Sequence, residues 1–178
     1  MDSYARMRGF RGDGIWVGCQ PLPMQDTNRQ PGKGHAALRR GRASLAGQVY
    51  LVTFTTQGRR RVFAEPASAM AAARAVIDPR LWQDAQLLAW VLMPDHWHGL
   101  VRLGGTQDLS RLIRRLKANT ARALTGHTAP VWARAFHDRV LRDEDDLVAG
   151  ARYLVMNPVR AGLVERVGDY PYWDAVWL

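Results

Sequence analysis

The chain predicts an α+β fold, a ferredoxin-like or RRM-like sandwich whose four- to five-stranded antiparallel sheet carries helices packed mainly on one face. Three observations lead there. Strand-like and helical patterns follow one another in the order β-α-β-β-α-β-α, the connectivity of a split βαβ sandwich. Two apolar runs meet at a Pro94-Asp95 turn, which makes them an antiparallel hairpin. A length of 178 residues suffices for one buried core and a tail.

The elements follow in order. Residues 1–37 are rich in Gly, Pro, Gln and Asp without sustained periodicity and are read as a flexible or weakly ordered extension; residues 38–178 form the domain and its C-terminal tail. Gln48–Thr56, rich in β-branched and aromatic residues, predicts the first strand, and Arg59, Arg60 and Arg61 fall in the loop after it. Pro66–Ile77 is an alanine-rich helix opened by proline and closed by Asp78-Pro79. Leu81–Met93 and His96–Leu103 are the hairpin strands. Leu109–Leu124 is a basic helix with an apolar face of Leu109, Leu112, Ile113 and Leu116. Val131–Leu141 predicts the fourth strand. Leu147–Asn157 is the third helix: Asp143, Glu144, Asp145 and Asp146 precede it and suit the helix dipole, and Pro158 ends it near Asn157. The aromatic tail from Tyr170 to Trp177 is expected to pack onto the domain.

Composition narrows the function. A net charge of +9 and a pI near 10.7 point to a polyanionic partner. Cys19 is the only cysteine, which excludes an intrachain disulfide framework and a cysteine-based zinc site. No apolar run reaches the roughly 18 residues of a membrane span, and no apolar signal core opens the chain, so a cytoplasmic, nucleoid-associated protein is expected.

The chemistry gathers in two places. Alternate residues of a strand share a face, so His96 and His98 project together while Trp97 turns the other way. Two adjacent imidazoles make a half-site for a divalent metal. The plainer reading is a satisfied, partly exposed pair in a hairpin. Tyr153 and Asn157, four residues apart, share one face of the third helix's last turn. Their plainer readings are a core tyrosine and a helix C-cap.

Taken together, these segments resemble a known family. A His-hydrophobic-His strand followed by Tyr153-Leu-Val-Met-Asn157-Pro-Val-Arg-Ala-Gly-Leu-Val164 is similar to the one-tyrosine HUH transposases, and more narrowly to the REP-associated tyrosine transposases. The likeness runs from about Leu38 to Leu178. It includes Arg39-Arg40-Gly41-Arg42, the strand Val49–Phe54, the Met93–His98 turn and the Trp132…Phe136-His137-Asp138 segment.

The resemblance implies a function. Tyr153 would be the nucleophile; His96, His98 and the side-chain carbonyl of Asn157 would bind Mg²⁺ or Mn²⁺, which a mixed nitrogen and oxygen set with open positions suits. The reaction would cut single-stranded DNA through a 5′-phosphotyrosine link and rejoin it without ATP. Recognition would be of hairpins formed by repetitive extragenic palindromes (REP), with a short 5′ flank. Candidate DNA contacts are Arg39, Arg40 and Arg42 on the arm and Arg111, Arg114, Arg115, Lys117 and Arg122 on the basic helix. Asp95, His137 and water stay open as proton acceptors. A monomer is expected, from the short link between Arg142 and Leu147, and no protein or membrane partner. Two other readings remain: a domesticated REP-hairpin binder without turnover, and a sheet-face module of the RNA-recognition kind.

Overall fold

The computed structural model describes residues 45–126, 129–141 and 144–177, all within the unit Ser44–Leu178. The predicted 1–37 extension, Cys19 and the arm residues Arg39, Arg40 and Arg42 lie outside the described residues. A five-stranded sheet has the order β4-β1-β3-β2-β5, from β1 (Val49–Thr55), β2 (Ala85–Met93), β3 (His96–Leu103), β4 (His137–Leu141) and β5 (Trp173–Ala175). All four pairings are antiparallel. The helices are α1 (Pro66–Val76), α2 (Leu109–Arg122), α3 (Glu144–Val155) and the single turn α4 (Asn157–Arg160).

Strand alternation divides the core in two. Tyr50, Val52 and Phe54 of β1, with Trp97, Val101 and Leu103 of β3, face α1 and α2. Ala69, Ala72, Ala73 and Val76 let α1 approach closely, and Leu109, Leu112, Ile113 and Leu116 form the predicted apolar face of α2. The opposite sheet face carries Val49, Val91, Met93 and Leu100, covered by Ala151, Leu154 and Val155 of α3. A bulge between Leu87 and Ala89 lets both Leu88 and Ala89 join this second core. Side-chain caps begin two helices: Glu65 accepts from the backbone of Ala67 and Ser68, and Asp108 from that of Ser110 and Arg111.

Three predicted elements are reshaped. The first hairpin strand, expected from Leu81, begins at Ala85, because Pro79–Leu81 forms a 3-10 turn capped by Asp78. The fourth strand is limited to His137–Leu141, and Trp132 makes only an isolated bridge to Thr56. Tertiary packing takes the preceding residues off the ladder. The Trp132 ring packs edge-on to Phe54 at 4.7 Å and its Nε1 donates to Thr120 Oγ1 at 2.8 Å. The Lys117 ammonium meanwhile donates to the carbonyls of Ala133, Arg134 and Ala135 at 2.9, 3.4 and 2.8 Å. The third helix ends at Val155, and Pro158 both stops it and occupies the first turn of α4, where its missing N–H costs nothing. The aromatic tail packs on the domain as expected: β5 pairs with β2, and the Tyr170 hydroxyl donates to the Leu92 carbonyl at 2.7 Å. No helix among the described residues is long and apolar enough to cross a membrane.

Candidate active site on the histidine face

Both predicted histidines stand on the sheet face covered by α3. His96 pairs with Met93 and Thr55 across the sheet, and His98 pairs with Val91 and Thr53. Their ring centroids are 4.5 Å apart with the planes nearly perpendicular, so the rings share one space without stacking. Trp97, between them in sequence, is fully buried on the other face against Phe54, with centroids 5.0 Å apart. Its ring lies over Gly99, where an added Cβ would sit 2.0 Å from the indole. Glycine is required there by that close approach.

Each imidazole is held from behind. His96 Nδ1 bonds Asp95 Oδ1 at 2.5 Å, and His98 Nδ1 bonds Thr53 Oγ1 at 2.7 Å. An ionised carboxylate only accepts, so His96 Nδ1 carries the hydrogen of this bond, and a metal would bind at Nε2. Burial works to raise the Asp95 carboxyl, but the His96 hydrogen bond and the charges of His96 and Arg59 outweigh it and hold the group below its ordinary value. His98 is pushed down to about 3, first by burial and then by the charges of His96, Arg59 and Arg160, so it is neutral at physiological pH. Protonation therefore does not compete with a metal for His98.

The turn carrying Asp95 is itself fixed. Its carbonyl accepts from Thr56 N at 2.8 Å, and the Pro94 carbonyl from Phe63 N at 2.9 Å. Arg59 Nη1 bonds Asp95 Oδ2 at 3.1 Å, leaving Oδ1 for His96. Arg59 reaches it from a left-handed backbone conformation, φ 57°, directly after Gly58 at φ 65°. A non-glycine residue in that region is uncommon, and here it directs a guanidinium to the carboxylate that holds His96.

The α3–α4 junction supplies the other candidates. Tyr153 is 37% exposed, not a core residue, and its hydroxyl accepts from Arg160 Nη2 at 2.9 Å. The Arg160 guanidinium also lies 4.0 Å from the centre of the Tyr153 ring. The Asn157 amide nitrogen donates to the Leu154 carbonyl at 2.9 Å and more weakly to that of Tyr153 at 3.4 Å, so the plainer C-cap reading describes this end of the amide. The other end, the carbonyl oxygen, bears the lone pairs a metal would use. Two histidines bonded through Nδ1 and an amide oxygen at the α3–α4 junction are mixed nitrogen and oxygen donors of the kind that would suit a divalent transition-metal ion.

The other predicted contacts are not gathered at this face. Arg111 and Arg114 are exposed on α2, whose apolar stripe packs on the opposite side of the sheet. Arg115 Nη2 donates to the Arg80 carbonyl at 2.7 Å, Arg122 Nε to that of Ala118 at 3.3 Å, and Lys117 is engaged as described. His137 is exposed on β4 opposite Thr53, in the row of residues that includes His98. Thr53, Arg59 and Arg160 went unnoticed as site residues in the sequence, and Asp95 as the group that orients His96. Asp95 directly before His96 was the available signal; Thr53 is recognisable only once strand register is known.

The sequence profile described as transposase IS200-like matches residues 45–140, more than half the chain, and the protein belongs to that family. Within it, the chain resembles the REP-associated tyrosine transposases. It is 28% identical over 99 residues to the REP-associated tyrosine transposase of Escherichia coli K12, covering 55% of this chain and 59% of that one. A Haemophilus influenzae protein assigned to the same group is 31% identical over 100 residues, covering 49% of this chain and 57% of its own. The chain thus matches less than two thirds of either relative's length. A solved structure of a REP-associated tyrosine transposase bound to a REP hairpin superposes with a TM-score of 0.63 at 25% identity, covering 74% of this chain and 79% of that one. The family match ends before Tyr153.

Proposed function

We propose that this chain is a divalent-metal-dependent DNA transesterase that cleaves and rejoins single-stranded DNA at REP hairpins through a 5′-phosphotyrosine link. The observation that carries the reading is the histidine pair: two imidazoles fixed by Asp95 and Thr53, on the sheet face covered by the helix of an exposed tyrosine. A pure DNA binder has no need of such pre-orientation. The hairpin bound in the related solved structure supports the substrate class.

Each residue has a task. His96, His98 and Asn157 would hold Mg²⁺ or Mn²⁺, which would polarise the phosphodiester and stabilise charge on its oxygens. Tyr153 Oη attacks phosphorus in line; the bond to the 3′-oxygen breaks as the Tyr153 ester forms. The phenol proton passes to solvent, and the released 3′-oxygen takes one from water. Asp95 serves as an orienting group, because its two oxygens are used by His96 and Arg59. Attack by another 3′-hydroxyl on the phosphotyrosine reverses the step and joins DNA. Arg111 and Arg114, on the far side of the sheet, would hold phosphates of the stem, with Arg39, Arg40 and Arg42 as contacts from the arm.

The test is a denaturation-resistant protein–DNA adduct formed on a hairpin oligonucleotide with a single-stranded 5′ flank in Mg²⁺ or Mn²⁺. The adduct should vanish with EDTA and in Tyr153→Phe, which should still bind the hairpin. An adduct persisting in Tyr153→Phe would refute the nucleophile. Tight binding without any adduct would favour the domesticated binder.

A further inference from the structure

Arg160 has no assigned role, yet it makes two separate contacts with the side chain proposed as nucleophile. Its Nη2 donates to Tyr153 Oη at 2.9 Å, and its guanidinium lies 4.0 Å from the centre of the Tyr153 ring. The two residues belong to different helices: Tyr153 to α3 and Arg160 to α4. In one straight helix, seven residues would separate them by about 10.5 Å of rise. The break at Pro158 and the bond from Arg160 N to the Met156 carbonyl at 3.0 Å set the second turn that brings Arg160 back.

We infer that Arg160 is a catalytic residue that aims the Tyr153 hydroxyl and clamps the scissile phosphate to it; the inference rests on the transesterase reading above. The geometry divides the guanidinium's work. Stacking on the ring restricts rotation of the phenol, and the Nη2 bond fixes Oη. A bond from a cation to oxygen strengthens as negative charge develops on that oxygen, so Arg160 favours the tyrosine as it loses its proton to water. Guanidinium has five N–H donors in a planar fork, and one suffices for Oη. The remainder match the non-bridging oxygens of a phosphodiester, which would place phosphorus beside the attacking atom. After attack the same donors face the phosphotyrosine ester and can serve its reversal.

The experiment compares single-turnover adduct formation by wild type, Arg160→Lys, Arg160→Ala and Tyr153→Phe on one flanked hairpin with Mn²⁺, alongside hairpin affinity measured without metal. Arg160→Ala should lose about 100-fold in adduct rate, the scale of removing one transition-state donor. Its hairpin affinity should change by no more than about threefold, because one phosphate contact is a small part of the total. Arg160→Lys should fall between, since an ammonium supplies charge without the fork or the stack. Methylguanidinium added to Arg160→Ala should restore part of the rate, a response that a role in helix packing would not give. An Arg160→Ala rate equal to wild type would overturn the inference, as would a loss mirrored in hairpin affinity and unresponsive to methylguanidinium. These failures differ from failure of the underlying reading, which would appear as an adduct in Tyr153→Phe or as none in wild type.

Discussion

Thr53→Val tests whether the sheet orients a metal ligand. The substitution keeps the branched shape and removes one oxygen, Oγ1, which lies 2.7 Å from His98 Nδ1. Burial and neighbouring charge keep His98 neutral, so the lost bond is a neutral one with a net value of about 1 kcal/mol. Leaving the imidazole N–H unpaired adds to this, up to about 3 kcal/mol for a fully buried group. His98 is partly buried, which places the expectation between these limits. The imidazole can escape the penalty by moving its hydrogen to Nε2, which removes the lone pair at that nitrogen and leaves one only at Nδ1, beside residue 53. Either route weakens binding, and loss of such an orienting partner typically costs about 10- to 100-fold in metal affinity, or about 1.4–2.8 kcal/mol. Titration with Mn²⁺, followed by electron paramagnetic resonance, measures this directly, with circular dichroism to show that the variant is folded. His98→Ala fixes the scale of complete ligand loss. A folded Thr53→Val protein with wild-type Mn²⁺ affinity would refute the argument that Thr53 aims His98 at a metal.

Two further predictions separate packing from binding. Gly99→Ala places a Cβ 2.0 Å from the Trp97 ring, which must move and lose its stack on Phe54; urea unfolding should show a loss of about 2–3 kcal/mol despite alanine's better strand propensity. Stability equal to wild type would mean that the indole repacks freely. Arg111→Ala combined with Arg114→Ala should lower the slope of log affinity against log salt by about 1.4–1.8 for the flanked hairpin, while single-turnover adduct formation at saturating DNA stays at the wild-type rate. An unchanged salt slope would show that the far side of α2 does not meet the stem.

Much of this architecture was legible because local patterns and packing agree. The Pro94-Asp95 turn, the strand beginning at His96 and the stripe from Leu109 to Leu116 each occur where period and turn chemistry put them. Val131–Leu141 misled for the opposite reason. Its residues suit a strand, but Lys117 captures the carbonyls of Ala133, Arg134 and Ala135, and Trp132 turns into the core. Those are contacts to residues more than ten positions away, invisible to a local reading. Lys117 looked like one more cation on a basic helix for the same reason: its sequence neighbours report its charge and not the carbonyls it reaches.

By itself the sequence determined that His96 and His98 share a face, because strand periodicity leaves no alternative; Tyr153 and Asn157, expected on one last turn, instead fall on either side of the α3–α4 break. Only the tertiary structure decided which face that is. Antiparallel register sets Thr53 beside His98, the fixed turn sets Asp95 and Arg59 behind His96, and the break at Pro158 sets Arg160 on Tyr153. The same sheet puts Arg111 and Arg114 on the far side from the histidines, a placement that their spacing along α2 does not reveal. Periodicity acts over a few residues along the chain, whereas register, helix placement and the side of a sheet are settled by burial of apolar surface contributed from the whole domain.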